Sequence, residues 1–125
     1  MKDPLAQYMS DKPSNDVPEQ ALLTGKPQKL EDRCISERTC TLYDYLVGAS
    51  GTDSAAHIAN YRNDQGVVVA QHVRAHGKQF RWVNRAKGLK LQLFGQHLGS
   101  EGTLILTEGQ IDAMSVYEVM RAHRA

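Results

Sequence analysis

From His57 onward the chain alternates bulky and polar side chains at strand spacing: HIANYR, then VVVAQHVR, then KQFRWV. The first two runs are joined by Asn63-Asp64-Gln65-Gly66, a polar connection with Gly last, which predicts a hairpin. Ala75-His76-Gly77 leads into the third run, where Phe80, Trp82 and Val83 are strong β-formers, so three antiparallel strands are expected. Upstream, the hydroxyl of Ser36 stands ready to cap a first helical turn, with Ile35 before it as a staple residue. A short helix is predicted from Ser36 to about Leu46, ended by Gly48 and Gly51 and followed by the turn-rich GASGTDSA. Beyond a loop over Asn84 to Lys90, Thr103 to Thr107 is a continuous apolar run suited to a strand covered on both faces. Ala113, Val116, Tyr117 and Met120 then fall at i, i+3, i+4 and i+7, the spacing of an amphipathic helix.

Composition sharpens the boundaries. All four prolines lie between Met1 and Pro27 among Ser, Asn, Asp and Gln, so residues 1–29 are expected to form a flexible tail or linker. The 125 residues suffice for one compact domain at most. No stretch approaches the ~20 apolar residues of a membrane span, and the first residues carry acids and prolines where a signal peptide needs an apolar core, so a cytoplasmic protein is expected. Two cysteines, Cys34 and Cys40, are too few for a disulfide scaffold and lack the second pair of a zinc site.

The formal net charge of +1 averages two unlike regions. Between Gln65 and Ser100 there is no Asp or Glu, whereas Arg74, Lys78, Arg81, Arg85, Lys87 and Lys90 all fall there, with His72, His76 and His97. An uncompensated cluster of this kind either binds phosphates or is a solvated basic face. Glu108 and Gly109 occupy the expected strand-to-helix turn, where a carboxylate can take a metal or a proton and glycine lets a phosphate approach the backbone. A helix-start acid favoured by the macrodipole is the plainer reading, and it applies still more to Asp112. Phe80 and Trp82 read as core residues before they read as base-stacking platforms, and His72 as a structural or surface residue before a metal ligand.

The runs ANYRNDQGVVVAQHVR, GKQF, LFGQHL and LILTEGQIDAMSV, in that order and spacing, resemble the RNA polymerase domain of phage-type, T7-like DNA primases, and LEDRCISERTC resembles the segment that opens that domain. The resemblance runs from about Leu30 to the end of the chain. TEGQID is similar to the first motif of the TOPRIM fold. The fold implied is α+β: a small antiparallel β-sheet subdomain with a short helix over residues 30–102, then the first β-α unit of a truncated TOPRIM-like α/β fold over 103–125.

What the resemblance implies for chemistry follows residue by residue. Glu108 takes the part of the acidic residue for nucleotidyl transfer and contributes to a partial Mg2+ site, and Gly109 is the motif glycine. Lys78 matches the clearest of the family's basic contacts to nucleotide and nucleic acid. Arg81 and Arg74 match others, while His72 stands where the T7-like pattern has a lysine. The implied activity is synthesis of short RNA primers on a single-stranded DNA template from nucleoside triphosphates, with a helicase domain or partner. No D-x-D motif follows Glu108, so a fragment inactive by itself is expected. A non-catalytic single-stranded nucleic-acid-binding module is the alternative, and a TOPRIM nuclease or topoisomerase fragment a further one.

Overall fold

The structure, a computed structural model, describes residues 21–86, 88–99 and 101–124. Ser36 does cap the first helix: its Oγ accepts a hydrogen bond from the Thr39 amide at 3.2 Å, opening α1 (Glu37–Tyr43). The helix stops at Tyr43, earlier than the sequence suggests, because Asp44 turns left-handed at φ 59° and its amide satisfies the last carbonyls at Cys40 and Thr41. Asp44 is held there by a 2.6 Å ion pair with Arg62.

The residues expected to finish that helix begin a strand instead. Four strands follow, β1 (Tyr45–Ser50), β2 (Asp53–Arg62), β3 (Val68–Ala75) and β4 (Gln79–Val83), forming one antiparallel meander in the order β1-β2-β3-β4. Three strands were expected; GASGTDSA is the β1–β2 hairpin, turning through Gly51 at φ 60°. Glycines misled the reading, since Gly48 here serves close approach rather than helix termination. A Cβ on Gly48 would strike the Thr24 carbonyl, and one on Gly25 would meet the Val47 carbonyl oxygen at 2.6 Å. The chain before β1 can therefore lie against it, and Lys26 and Val47 exchange backbone hydrogen bonds at 2.9 and 3.0 Å. The Leu23 amide likewise donates to Gln71 Oε1 at 2.8 Å. Residues 21–29 thus pack on the sheet rather than forming part of a tail; the rest of the expected tail, 1–20, lies outside the described residues.

The β2–β3 turn forms as expected. Asn63 Oδ1 accepts from the amides of Gln65 and Val67, and Gly66 adopts φ 79°. Register then divides the sheet into two faces, because side chains alternate along a strand. Ile58 opposes Val73 and Asn60 opposes Gln71 on one face, where Ala56, Ile58, Val73 and Val83 form a buried cluster. His57 opposes Arg74, Ala59 opposes His72, and Tyr45 opposes Ala59 on the other. That second face packs beneath α1 and α2 (Gln110–Arg124), around Leu30, Ile35, Cys40, Tyr45, Ala59 and Met114.

Two expectations for the carboxy-terminal segment change. Thr103 to Thr107 adopts no regular secondary structure and pairs with no strand among the described residues, and Leu104 and Leu106 are 75% and 68% exposed. A strand exists only where a neighbour takes its backbone groups, and none of the described residues does so here. Helix α2 forms where predicted, yet its inward line is set by Ile111 and Met114, with Met114 fully buried and Met120 41% exposed. Glu118 fastens it to α1, its Oε1 accepting from the Ser36 amide and hydroxyl and from the Thr39 hydroxyl, each at 2.6 Å. Burial disfavours the charged form of Glu118, but these donors outweigh it and hold the carboxyl below its ordinary range.

Candidate functional site

Two neighbouring cavities open on the helix-covered face of the sheet. The larger, about 770 Å³, lies between the 28–33 segment and the β1–β2 and β3–β4 turns; the smaller, about 250 Å³, runs from β2 and β3 to the start of α2. Arg33, His57 and Arg74 line both and so join them into one groove. Arg33 comes from a 3-10 turn (Glu31–Arg33) closed by Cys34 in the left-handed region, while His57 and Arg74 are cross-strand partners. Two guanidiniums and an imidazole are thus delivered from three separate places in the sequence to one surface.

Lys78 sits at the rim of the larger cavity in a strained turn. Its φ is 60°, next to Gly77 at 77°, and a non-glycine residue holds that conformation only where its surroundings enforce it. Asp53, the first residue of β2, ties the start of that turn to the sheet. One carboxylate oxygen accepts from the His76 amide at 2.6 Å and the other from the Ala55 amide at 2.9 Å. Those two backbone N–H groups hold the Asp53 carboxyl below its ordinary value.

At the other end of the groove, Gly109, Gln110 and Asp112 line the smaller cavity. Gln110 ties the first turn of α2 to the sheet, its Nε2 donating to the Tyr61 hydroxyl at 2.9 Å and to His72 Nδ1 at 3.0 Å. His72 thereby presents an unprotonated Nδ1, and burial, aided by Arg85, holds the imidazole below its ordinary pKa. At the position where the resemblance implies a lysine, this chain has a half-buried imidazole used for internal bonding. His57 is similarly depressed, by burial and then by Arg74 and Arg33, and its Nδ1 lies 2.8 Å from the Tyr45 hydroxyl.

The structure brings together Arg74, Lys78, His72 and Gly109, but not Arg81. Arg81 opposes Val73 and so points from the opposite face of the sheet, where its guanidinium donates to Ser50 Oγ at 2.8 Å. Adjacent strand positions face opposite ways, and Arg81 differs from Arg74's partner Phe80 by one. Glu108 stands in the bend just before α2, exposed. No group of three or more His, Cys, Asp or Glu side chains converges among the described residues, so Glu108 and Asp112 do not by themselves make a metal centre. Phe80, expected in the core, is 55% exposed and packs in neither buried apolar cluster.

Sequence reasoning overlooked Arg33, Asp53, His57 and Gln110. Arg33 and Gln110 lie inside the runs LEDRC and TEGQID, where their position was a usable signal. Asp53 and His57 carry none, since only the strand pairing brings them beside Arg74 and His76.

Residues 25–84 match the family model described as the bacteriophage T7 DNA helicase/primase N-terminal α+β fold. Across 96 residues the chain is 35% identical to the DNA helicase/primase of Enterobacteria phage T3, a match covering 76% of this chain and 16% of that protein. The fold superimposes on the crystal structure of the primase fragment of the bacteriophage T7 primase-helicase protein with a TM-score of 0.72 and 29% identity, covering 93% of this chain and 50% of the fragment. A second structure shows T7 lagging-strand DNA polymerase interacting with primase domains of two gp4 subunits bound to an RNA/DNA hybrid and dTTP. It matches with a TM-score of 0.68 and 32% identity over 79% of this chain and 44% of that one. The chain therefore spans about a sixth of the curated relative and about half of the structural ones.

Proposed function

Because residues 25–84 belong to the N-terminal α+β family of bacteriophage T7 helicase/primases, we propose that this protein acts as part of a DNA primase, with the groove holding phosphates of single-stranded DNA or of a nucleoside triphosphate. The observation that carries this reading is the groove itself, in which Arg33, Arg74 and Lys78 line a surface that ends at the Gly109 turn beside Glu108. Guanidinium and ammonium groups facing each other across the groove would neutralise a polyphosphate, and the Glu108 carboxylate next to Gly109 would serve a 3'-hydroxyl or a metal.

The parent reaction in this reading is templated synthesis of short RNA primers, coupled to a helicase domain or partner. Glu108 would contribute one carboxylate toward holding Mg2+, and a Mg2+ held there would supply charge stabilisation to phosphoryl transfer. The described residues of this chain do the binding: Arg74 and Lys78 hold phosphate, Asp53 fixes the turn that presents Lys78, and Gln110 fixes the Glu108 bend on the sheet. Arg81 acts from the opposite face and is left out of this groove.

Fluorescence anisotropy of a labelled single-stranded oligonucleotide, titrated across a salt series, tests the reading. Affinity is expected to fall steeply with salt, and Lys78→Ala with Arg74→Ala to weaken binding and flatten the salt slope, by about one unit per lost contact. Arg81→Ala is expected to do neither. Absence of binding at low salt, or equal loss from Arg81→Ala, would overturn it.

A further inference from the structure

Four side chains on β3 and β4 stand in a square on the groove side of the sheet, His72 opposite Trp82 and Arg74 opposite Phe80. Their rings form an ordered stack. His72 lies parallel to Phe80, with ring centroids 5.5 Å apart and planes 10° from one another, and 4.7 Å from Trp82. A cation flanks each end: the Arg85 guanidinium lies 4.7 Å over Trp82, and that of Arg74 lies 5.7 Å from the Phe80 centroid, leaving the ring exposed.

The members of this stack are not equally covered. Trp82 is packed against Tyr61 at 5.2 Å, and His72 is held from behind by Gln110, so both are partly buried. Phe80 belongs to neither buried apolar cluster and keeps 55% of its surface in water. A single exposed apolar residue is ordinary on a protein surface. An exposed ring aligned on a fixed imidazole, lining a groove with Arg33 and Arg74, is a prepared stacking surface.

Resting on the nucleic-acid reading above, we propose that Phe80 is the stacking contact for an unpaired base of single-stranded DNA, with Arg74 and Lys78 holding the strand's phosphates on one side of that base and Arg85 on the other. Base–aromatic stacking tolerates any base because every base has a π-face, and arginines along the platform add cation–π and phosphate contacts. In each cavity the cations outnumber the acids: Lys29, Arg33, Arg74 and Lys78 line the larger with Glu31, Asp32 and Asp53, and Arg33 and Arg74 line the smaller with Asp112. An unpaired base is required because bases in a duplex are already stacked on their neighbours. Single-stranded DNA is favoured over a free nucleotide because the cations sit at both ends of the stack.

The test uses the full chain with two labelled oligonucleotides of equal length and charge, one a thymidine tract and one carrying abasic sites through its centre. Phe80→Ala is expected to weaken thymidine-tract binding by roughly 5- to 150-fold, the ~1–3 kcal/mol of one stacked base. It should leave abasic binding and the salt slope unchanged, and Phe80→Trp should restore the loss. Lys78→Ala is expected to weaken both oligonucleotides alike. If Phe80→Ala binds the thymidine tract like the wild type, or weakens both oligonucleotides equally with an unaltered thermal unfolding curve, the stacking role is overturned while the phosphate groove stands. If the wild type binds neither oligonucleotide, the nucleic-acid reading fails and this one with it.

Discussion

The four-stranded sheet and the carboxy-terminal segment are built from equally apolar stretches, yet one is covered and the other is not. In the sheet every strand has a hydrogen-bonded neighbour, and Ile58 and Val73 are fully buried. In the 103–107 run the side chains are as hydrophobic, but Leu104 and Leu106 lie in water. The difference lies in what each element needs. A helix satisfies its own backbone and can dock by side chains alone, as α2 does through Met114 and Glu118; a strand needs another strand.

The largest effect that sharpens this contrast is expected from Ile58→Ala set against Leu106→Ala. Removing Ile58 opens a cavity in the covered cluster and should cost about 2–5 kcal/mol in urea unfolding, whereas Leu106→Ala should stay within about 0.5 kcal/mol. Comparable losses from both would show that the 103–107 run is covered after all.

A smaller loss should separate the helix from the sheet. Glu118→Ala leaves the Ser36 and Thr39 donors without their acceptor and is expected to cost about 1–3 kcal/mol. Amide exchange should speed up in α1 and α2 while the strands stay protected. Uniform loss of protection across all elements would mean that helices and sheet unfold as one unit.

The mildest perturbation is acid. His57 and His72 both have folded-state values below the ordinary histidine value of about 6.5, so the unfolded chain takes up protons first as pH falls. The stability they contribute is fully present above that pH and is lost as pH drops through their lowered values. His72 also loses its acceptor nitrogen for Gln110 on protonation, so α2 is expected to loosen before the strands do. Thermal midpoints that rise between pH 7 and pH 5 would contradict this.

Much of this molecule was settled by local sequence. The Ser36 cap, the Asn63–Gly66 turn, β2 to β4, the placement of α2 and the acid-free stretch are all legible, because caps, turns, strand alternation and charge act over a few residues. The resemblance to T7-like primases rests on such local runs too. Tertiary structure alone decided what depends on neighbours. Gly48 could be read as a helix stop or as a close-approach point until Thr24 was placed against it. Thr103 to Thr107 has a strand's composition, but pairing is a property of two segments. The groove is the clearest case, since Arg33, Asp53, Arg74 and Lys78 meet only through the register of β2 on β3 and the turns that flank it, and the same register sends Arg81 to the other side. Residue type travels with the sequence; the side of the sheet on which a charge emerges is fixed only when the strands pair.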